Sequence, residues 1–191
     1  MLLANVVGTY FYMEEQRIVG ETLAGKADQV AYFSGRDRIV SLLQIAAQLF
    51  VTGALLRRLG VGPCAAALPA AALLGLLAVS VSPTLTVIWA VLIAERAIAF
   101  GLSSPAARVL WTVVEPEDKY KTQNFVDTVV YRGGDVVSVW TVNGLTRGLG
   151  VPLTGVALLM LPLGALWLAL TFQLSRRHAV RSEATLALKD Q

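Results

Sequence analysis

Five charged side chains lie where a membrane helix would be apolar. Lys119, Lys121, Asp127, Arg132 and Asp135 fall within KYKTQNFVDTVVYRGGD, and apolar sequence flanks this stretch on both sides. A second charged set, Glu95 and Arg96, interrupts the apolar segment 84–102. Each ionised side chain at the centre of a spanning helix costs about 2.5–3.5 kcal/mol on insertion scales, so such groups pair, line a wet cavity or serve a transport path. The chemistry open to these residues is the binding of an anion by the arginines and lysines, or the carriage of a proton by the carboxylates.

Helix geometry says which of them meet. Arg132 and Asp135 are three residues apart and share a face. Gly133 and Gly134 lie between them and weaken the helix, and locally unwound helices near the midplane form substrate sites in transporters. Glu95 follows Thr84 by eleven residues, which places it about 16 Å deep, near the bilayer centre. Glu95 and Arg96 point about 100° apart and need partners elsewhere. The spacing predicts a cross-helix cluster of Glu95, Arg96, Arg132 and Asp135. A permanent ion-pair lock between helices would use the same residues, and both readings stay open at this point.

Other chemistries find no support. The sequence has no GxxxxGK[ST] loop, no HExxH and no GxSxG elbow, so no enzyme activity is expected. Cys64 and His178 are the only residues of their kinds, which excludes a disulfide framework, a CxxC site and a histidine cluster. Asp127 and Asp135 could suggest a metal-dependent membrane transferase, but they sit more than two helical turns apart and no further carboxylates join them. Neither a metal nor a cofactor is expected.

Composition shows what must position these residues. The chain is 55% hydrophobic and 15% charged, against about 25% charged in soluble domains. That marks an all-α, polytopic membrane protein whose first partner is the lipid bilayer. The basic residues gather at segment ends rather than in a stripe suited to a nucleic-acid polymer. Six apolar segments stand out, at 2–13, 39–56, 61–81, 84–102, 124–145 and 151–174, forming one helical half-bundle over 1–175 with a polar tail at 176–191. The first segment is short for a span and lacks the basic start and cleavage site of a signal peptide, so it reads as the end of a longer helix. It continues as a water-exposed helix through Glu14, Glu15 and Arg17. A polar connector follows, from about Gly20 to Arg38.

The basic residues also set an orientation. Arg57 and Arg58, then Arg108, Lys119 and Lys121, then Arg176, Arg177 and Arg181 fall on one side of the expected bundle. The positive-inside rule makes that side cytoplasmic, with the C-terminus inside and the protein in the cell (inner) membrane. The second segment carries Ser41, Gln44, Gln48 and Thr52 on one helical face. Gln44 and Gln48 on such a face either line a water-filled cavity or bond to a neighbouring helix.

The stretch ARVLWTVVEPEDKYKTQNFVDTVVYRGGDVVS resembles the signature region of bacterial transporters related to the ATP/ADP translocase (nucleotide transporter) family, within the major facilitator fold. The matching positions are Arg108, Leu110, Trp111 and Thr112; Lys119, Tyr120 and Lys121; Phe125, Val126 and Asp127; and Arg132, Gly134 and Asp135. Trp111 stands where a smaller aromatic is commoner. The resemblance implies the C-terminal half of a twelve-helix carrier, with segment 2–13 as the remnant of the seventh helix. It also implies a missing N-terminal six-helix half, or a homodimer partner in its place, and a small anionic, nucleotide-like solute moved by alternating access. Arg96, Arg108, Lys119, Lys121 and Arg132 would suit phosphate groups. The rival expectation is a non-transporting assembly module or degenerate half-transporter.

Overall fold

The computed structural model describes residues 2–110, 128–129 and 131–189, and all regular structure within them is helical. Helix α1 is Leu2–Thr22, α2 is Lys26–Leu59, α3 is Val61–Val81, α4 covers 85–110, α5 covers 131–148 and α6 is Leu153–Lys189. Four of them contain stretches long and apolar enough to cross a membrane: Lys26–Leu59, Val61–Val81, Leu85–Val109 and Gly155–Arg177. The chain is an all-α protein with the helices of a membrane protein.

Local chemistry explains where the helices stop. Gly60, at φ +80°, turns the chain from α2 into α3, a conformation that only glycine adopts without strain. Pro83 precedes α4, and the Thr84 hydroxyl caps it by accepting from the Val87 N–H at 3.4 Å. Two boundaries differ from the sequence expectation. The stretch expected as a connector up to Arg38 is largely helix, because α2 already begins at Lys26. No proline breaks 26–38, and the helix continues into the apolar segment. At 34 residues, α2 is about 51 Å long and exceeds the roughly 30 Å hydrocarbon core, so its charged start can project beyond it. Similarly, the polar stretch from 176 onward prolongs α6 rather than leaving it.

The core gathers around α1. Val7, Tyr10, Phe11 and Ile18 of α1 meet Leu76 and Val79 of α3, Ile88 and Leu92 of α4, Val142 of α5, and Val156 and Met160 of α6. Helix α1 therefore packs against α4, α5 and α6, while α3 runs alongside α6. Gly75 is what lets α1, α3 and α4 come so close. A Cβ at that position would stand 2.6 Å from Val91 Cγ1 and 3.0 Å from Phe11 Cζ.

A joint between α2 and α4 follows from a proline. Pro105 has no N–H, so the Gly101 carbonyl loses its α-helical donor, and the Phe100 carbonyl cannot gain one in the wider π register. Residues Ala99–Ser103 widen into a π-turn there, with the Ser104 N–H bonding to the Ala99 carbonyl. Side chains of α2 take over the two freed carbonyls. The Thr52 hydroxyl donates to the Gly101 oxygen, and Gln48 Nε2 donates to the Phe100 oxygen at 3.1 Å. Helix α2 has its own π-turn at Ala47–Val51 facing this spot. The backbones approach so closely that a Cβ on Gly101 would lie 2.8 Å from Ala47 Cβ.

Candidate functional site

The charged residues brought together are largely not those the sequence singled out. Tyr10, Glu14, Arg17 and Glu21 recur at intervals of four, three and four along one face of α1. Arg17 forks onto Glu14, with Nη2 at 2.6 Å from one oxygen and Nε at 3.1 Å from the other, and its Nη1 reaches Glu21 at 2.8 Å. Hydrogen bonding to Glu14 raises the Arg17 guanidinium further above its ordinary range, so it stays charged at any pH the protein meets. The Tyr10 hydroxyl, one turn below Glu14, is buried without a hydrogen-bond partner among the described residues.

Beside this face lies an ion pair that solvent hardly touches. The Glu15 side chain is fully buried and that of Arg36 is 6% exposed. Arg36 Nη1 donates to both Glu15 oxygens, while its Nε and Nη2 donate to Asp37 Oδ1 at 3.1 and 2.8 Å. The Phe33 ring covers the guanidinium, 5.4 Å from its centre. Desolvation offsets most of the attraction in such a pair, yet removing one partner strands the other charge at a cost of about 3–5 kcal/mol. The pair therefore fixes how α1 and α2 meet rather than adding much net stability. Arg36 reaches Glu15 from the other side of the α1–α2 turn with its long side chain.

The chain of charges continues into α4. Asp37 Oδ1 also faces Arg96 Nη1, at 3.5 Å. That is an ion contact but too long for a hydrogen bond. Asp37 is 56% and Arg96 35% exposed. Next to them an open groove of about 550 Å³ runs along α2, lined by Ser34, Asp37, Arg38, Ser41 and Leu42.

The expected cluster of Glu95, Arg96, Arg132 and Asp135 does not form by any ion pair or hydrogen bond among the described residues. Its physical obstacle is α1, which packs against both α4 and α5. Arg96 turns to Asp37 of α2 instead. Glu95 is half-buried and makes no hydrogen bond or ion pair among the described residues, Arg132 is exposed and Asp135 half-buried. Arg108 is exposed near the end of α4. Lys119, Lys121 and Asp127 lie outside the described residues, as does most of the stretch that carries the family resemblance. Gln48 spends its amide on the Phe100 carbonyl, and Gln44 is half-buried on the same helix. Glu14 and Glu15, expected in water, are buried, because Arg17 and Arg36 neutralise them. No three His, Cys, Asp or Glu residues among those described could hold a metal ion.

Glu15, Arg36 and Asp37 were missed, although the sequence holds a signal for them. Glu15 stands ten residues before Gly25 and Arg36 eleven after it. If both flanks are helical and Gly25 is the turn, an antiparallel hairpin sets these opposite charges against each other. Reading 20–38 as a connector hid that symmetry. Comparison with protein-family models, with curated protein sequences and with solved structures returns no match.

Proposed function

We propose that this chain acts as the C-terminal half of a major-facilitator-type secondary transporter, similar to ATP/ADP translocases, that carries a small anionic solute by alternating access. The observation that carries the reading is Arg96, a partly exposed guanidinium with no hydrogen bond among the described residues, in a helix apolar enough to cross a membrane. A charge kept in such a helix without a full set of partners is expected to have a functional one. In this reading Arg96 and Arg132 attract the solute. Arg108, Lys119 and Lys121 present cationic donors at the cytoplasmic end, and Asp127 belongs to the same stretch. Glu95 and Asp135 hold the arginines when the site is empty, or carry a coupling proton. The orientation, with the C-terminus inside the inner membrane, rests on the distribution of basic residues.

A second reading, a membrane assembly module that transports nothing, is favoured by one observation. The Glu15–Arg36 pair is buried and fully engaged, as a purely structural lock would be. One experiment separates the two. An antibody against residues 181–191 identifies the native species in its own membranes, and that species is purified and reconstituted into vesicles. Uptake of labelled ATP, ADP and inorganic phosphate is then measured. The transporter reading expects saturable uptake of at least one of them, lost in Arg96→Ala and Arg132→Ala. Uptake unchanged in Arg132→Ala takes that residue out of the site. No uptake of any of the three by a correctly inserted protein leaves the assembly module as the better account.

A further inference from the structure

We infer that the end of the bundle where α2 finishes, α3 begins and α6 leaves its apolar stretch is a docking surface for anionic phospholipid headgroups, held by Arg57, Arg58, Arg176 and Arg177. The inference goes beyond the transporter reading and uses none of the residues placed in its solute site. It starts from how the fold gathers arginines that are far apart in sequence. Helices α3 and α6 run antiparallel: a Cβ on Gly164 would stand 2.7 Å from Leu73 Cδ2, and one on Gly62 would stand 2.9 Å from Ser175 Cβ. The first turn of α3 therefore lies against the turn of α6 that carries Arg176 and Arg177. Arg57 and Arg58 come to the same end along α2. They lie in its last turn, just before the chain turns at Gly60 into α3. Their neighbours Leu55 and Leu56 pack with Val61 against Cys64 and Ala65 of α3, which fixes where this turn sits.

All four side chains are exposed, and none forms an ion pair among the described residues. Their one side-chain bond there runs from Arg57 Nε to the Gly53 carbonyl of its own helix, at 3.2 Å. The two ends of α2 thus differ: Arg36, near its start, is closed off by Glu15 and Asp37, whereas the arginines at its finish keep their donors. The start of α3 adds to the positive field, because no side chain caps its first turn. The apolar side chains alongside select the partner. Phe172 stands four residues before Arg176 and Leu174 three before Arg177, so each pair shares a helical face, and both apolar members are exposed. Leu59, next to Arg58, is exposed too. Stretches apolar enough to cross a membrane end at Leu59 and Arg177, so the guanidinium groups emerge where hydrocarbon gives way to headgroups. A diacyl lipid lays its chains along Phe172 and Leu174 and its phosphate against the arginines, whose long side chains reach that level. A soluble anion would use the charges alone and leave the apolar part of the surface uncovered.

The test uses two lipids that differ only in headgroup. The full chain is purified in a maltoside detergent and stripped of phospholipid. Dioleoyl phosphatidylglycerol and dioleoyl phosphatidylcholine are added in separate titrations, and bound lipid is followed by native mass spectrometry. Both bring the same chains and a phosphate, but only phosphatidylglycerol carries net charge, and it should bind about tenfold or more tightly. Arg176→Gln combined with Arg177→Gln should weaken its binding about twentyfold, at about fivefold per arginine, and so should Arg57→Gln combined with Arg58→Gln. Phosphatidylcholine binding and the lipid-free melting temperature should stay as they were, since the replaced side chains are exposed. Arg147→Gln, in the exposed turn between α5 and α6, should change neither titration. Equal binding of the two lipids, a preference that survives both double variants, or an equal loss in Arg147→Gln would overturn the surface. Displacement of phosphatidylglycerol by inorganic phosphate at constant ionic strength would overturn it as well, by assigning the arginines to a soluble anion. Uptake into vesicles is a separate readout, because the solute site of the transporter reading holds none of these four arginines.

Discussion

Helices α2 and α4 are tied at two places by opposite means. Near the start of α2 the tie is ionic, running from Glu15 through Arg36 and Asp37 to Arg96. Farther along, at the paired π-turns, it is neutral: Thr52 and Gln48 bond to the carbonyls of Gly101 and Phe100. The ionic tie ends in a loose, half-exposed contact at Arg96, whereas the neutral one closes on fixed backbone atoms at van der Waals separation. The contrast separates what can yield from what holds. The Gly101 carbonyl, deprived of its α-helical donor by Pro105, accepts from Thr52, and that bond joins fixed points of the two helices. A partly exposed arginine facing a carboxylate at 3.5 Å can exchange its partner at little cost. If α2 and α4 move relative to each other, the neutral joint is where they pivot and the Asp37–Arg96 contact is where they part.

The largest expected effect comes from breaking the buried end of the ionic tie. Arg36→Ala strands Glu15 without a counter-charge and should cost about 3–5 kcal/mol, read as a large drop in melting temperature or in folded yield in detergent. Glu15→Leu combined with Arg36→Met removes both charges and should recover most of that loss. A double variant as unstable as Arg36→Ala would mean that shape, not charge, matters there.

The neutral joint should respond less and in a way that depends on proline. Thr52→Val leaves the buried Gly101 carbonyl without a donor, worth about 1–3 kcal/mol. Pro105→Ala returns an N–H that can reach Gly101 in the α register. In that background Thr52→Val should cost markedly less. Equal costs in the two backgrounds, measured by a double-mutant cycle, would refute the account of the joint. Gly101→Val tests the close approach and should cost about 1–3 kcal/mol, because overpacking forces the backbones apart. The smallest effect belongs to the solvent edge of the charged face. Glu21→Ala removes one i,i+4 partner of Arg17 and should cost about 0.3–0.5 kcal/mol, vanishing in high salt.

Much was legible in the sequence because it depends on neighbours along the chain. Apolar runs of sufficient length gave the helices containing 61–81 and 85–109, and the proline at 105 marked the place where α4 must deform. Ser41, Gln44, Gln48 and Thr52 were visible as one polar face, since helical period is a local property. What the face touches was not visible. Gln48 and Thr52 find carbonyls of α4 some fifty residues away, and no periodicity encodes that choice.

Hydropathy also misled where charge was later neutralised. Glu14, Glu15, Arg36 and Asp37 read as solvent-facing because an isolated charge belongs in water. Pairing within α1 makes the burial of Glu14 tolerable and pairing across the Gly25 turn that of Glu15 and Arg36, and the second kind is a property of the folded molecule. The sequence by itself determined that the chain is helical, apolar and interrupted by charge, since composition and period follow from covalent order alone. Only the tertiary structure decided which charges meet. Helix α1 packs between α4 and α5, so Arg96 answers to Asp37 of α2 and not to the Arg132 and Asp135 that spacing had suggested. The physical reason is range: a side chain pairs with whatever packing brings within a few ångströms, and packing is settled by the whole bundle at once.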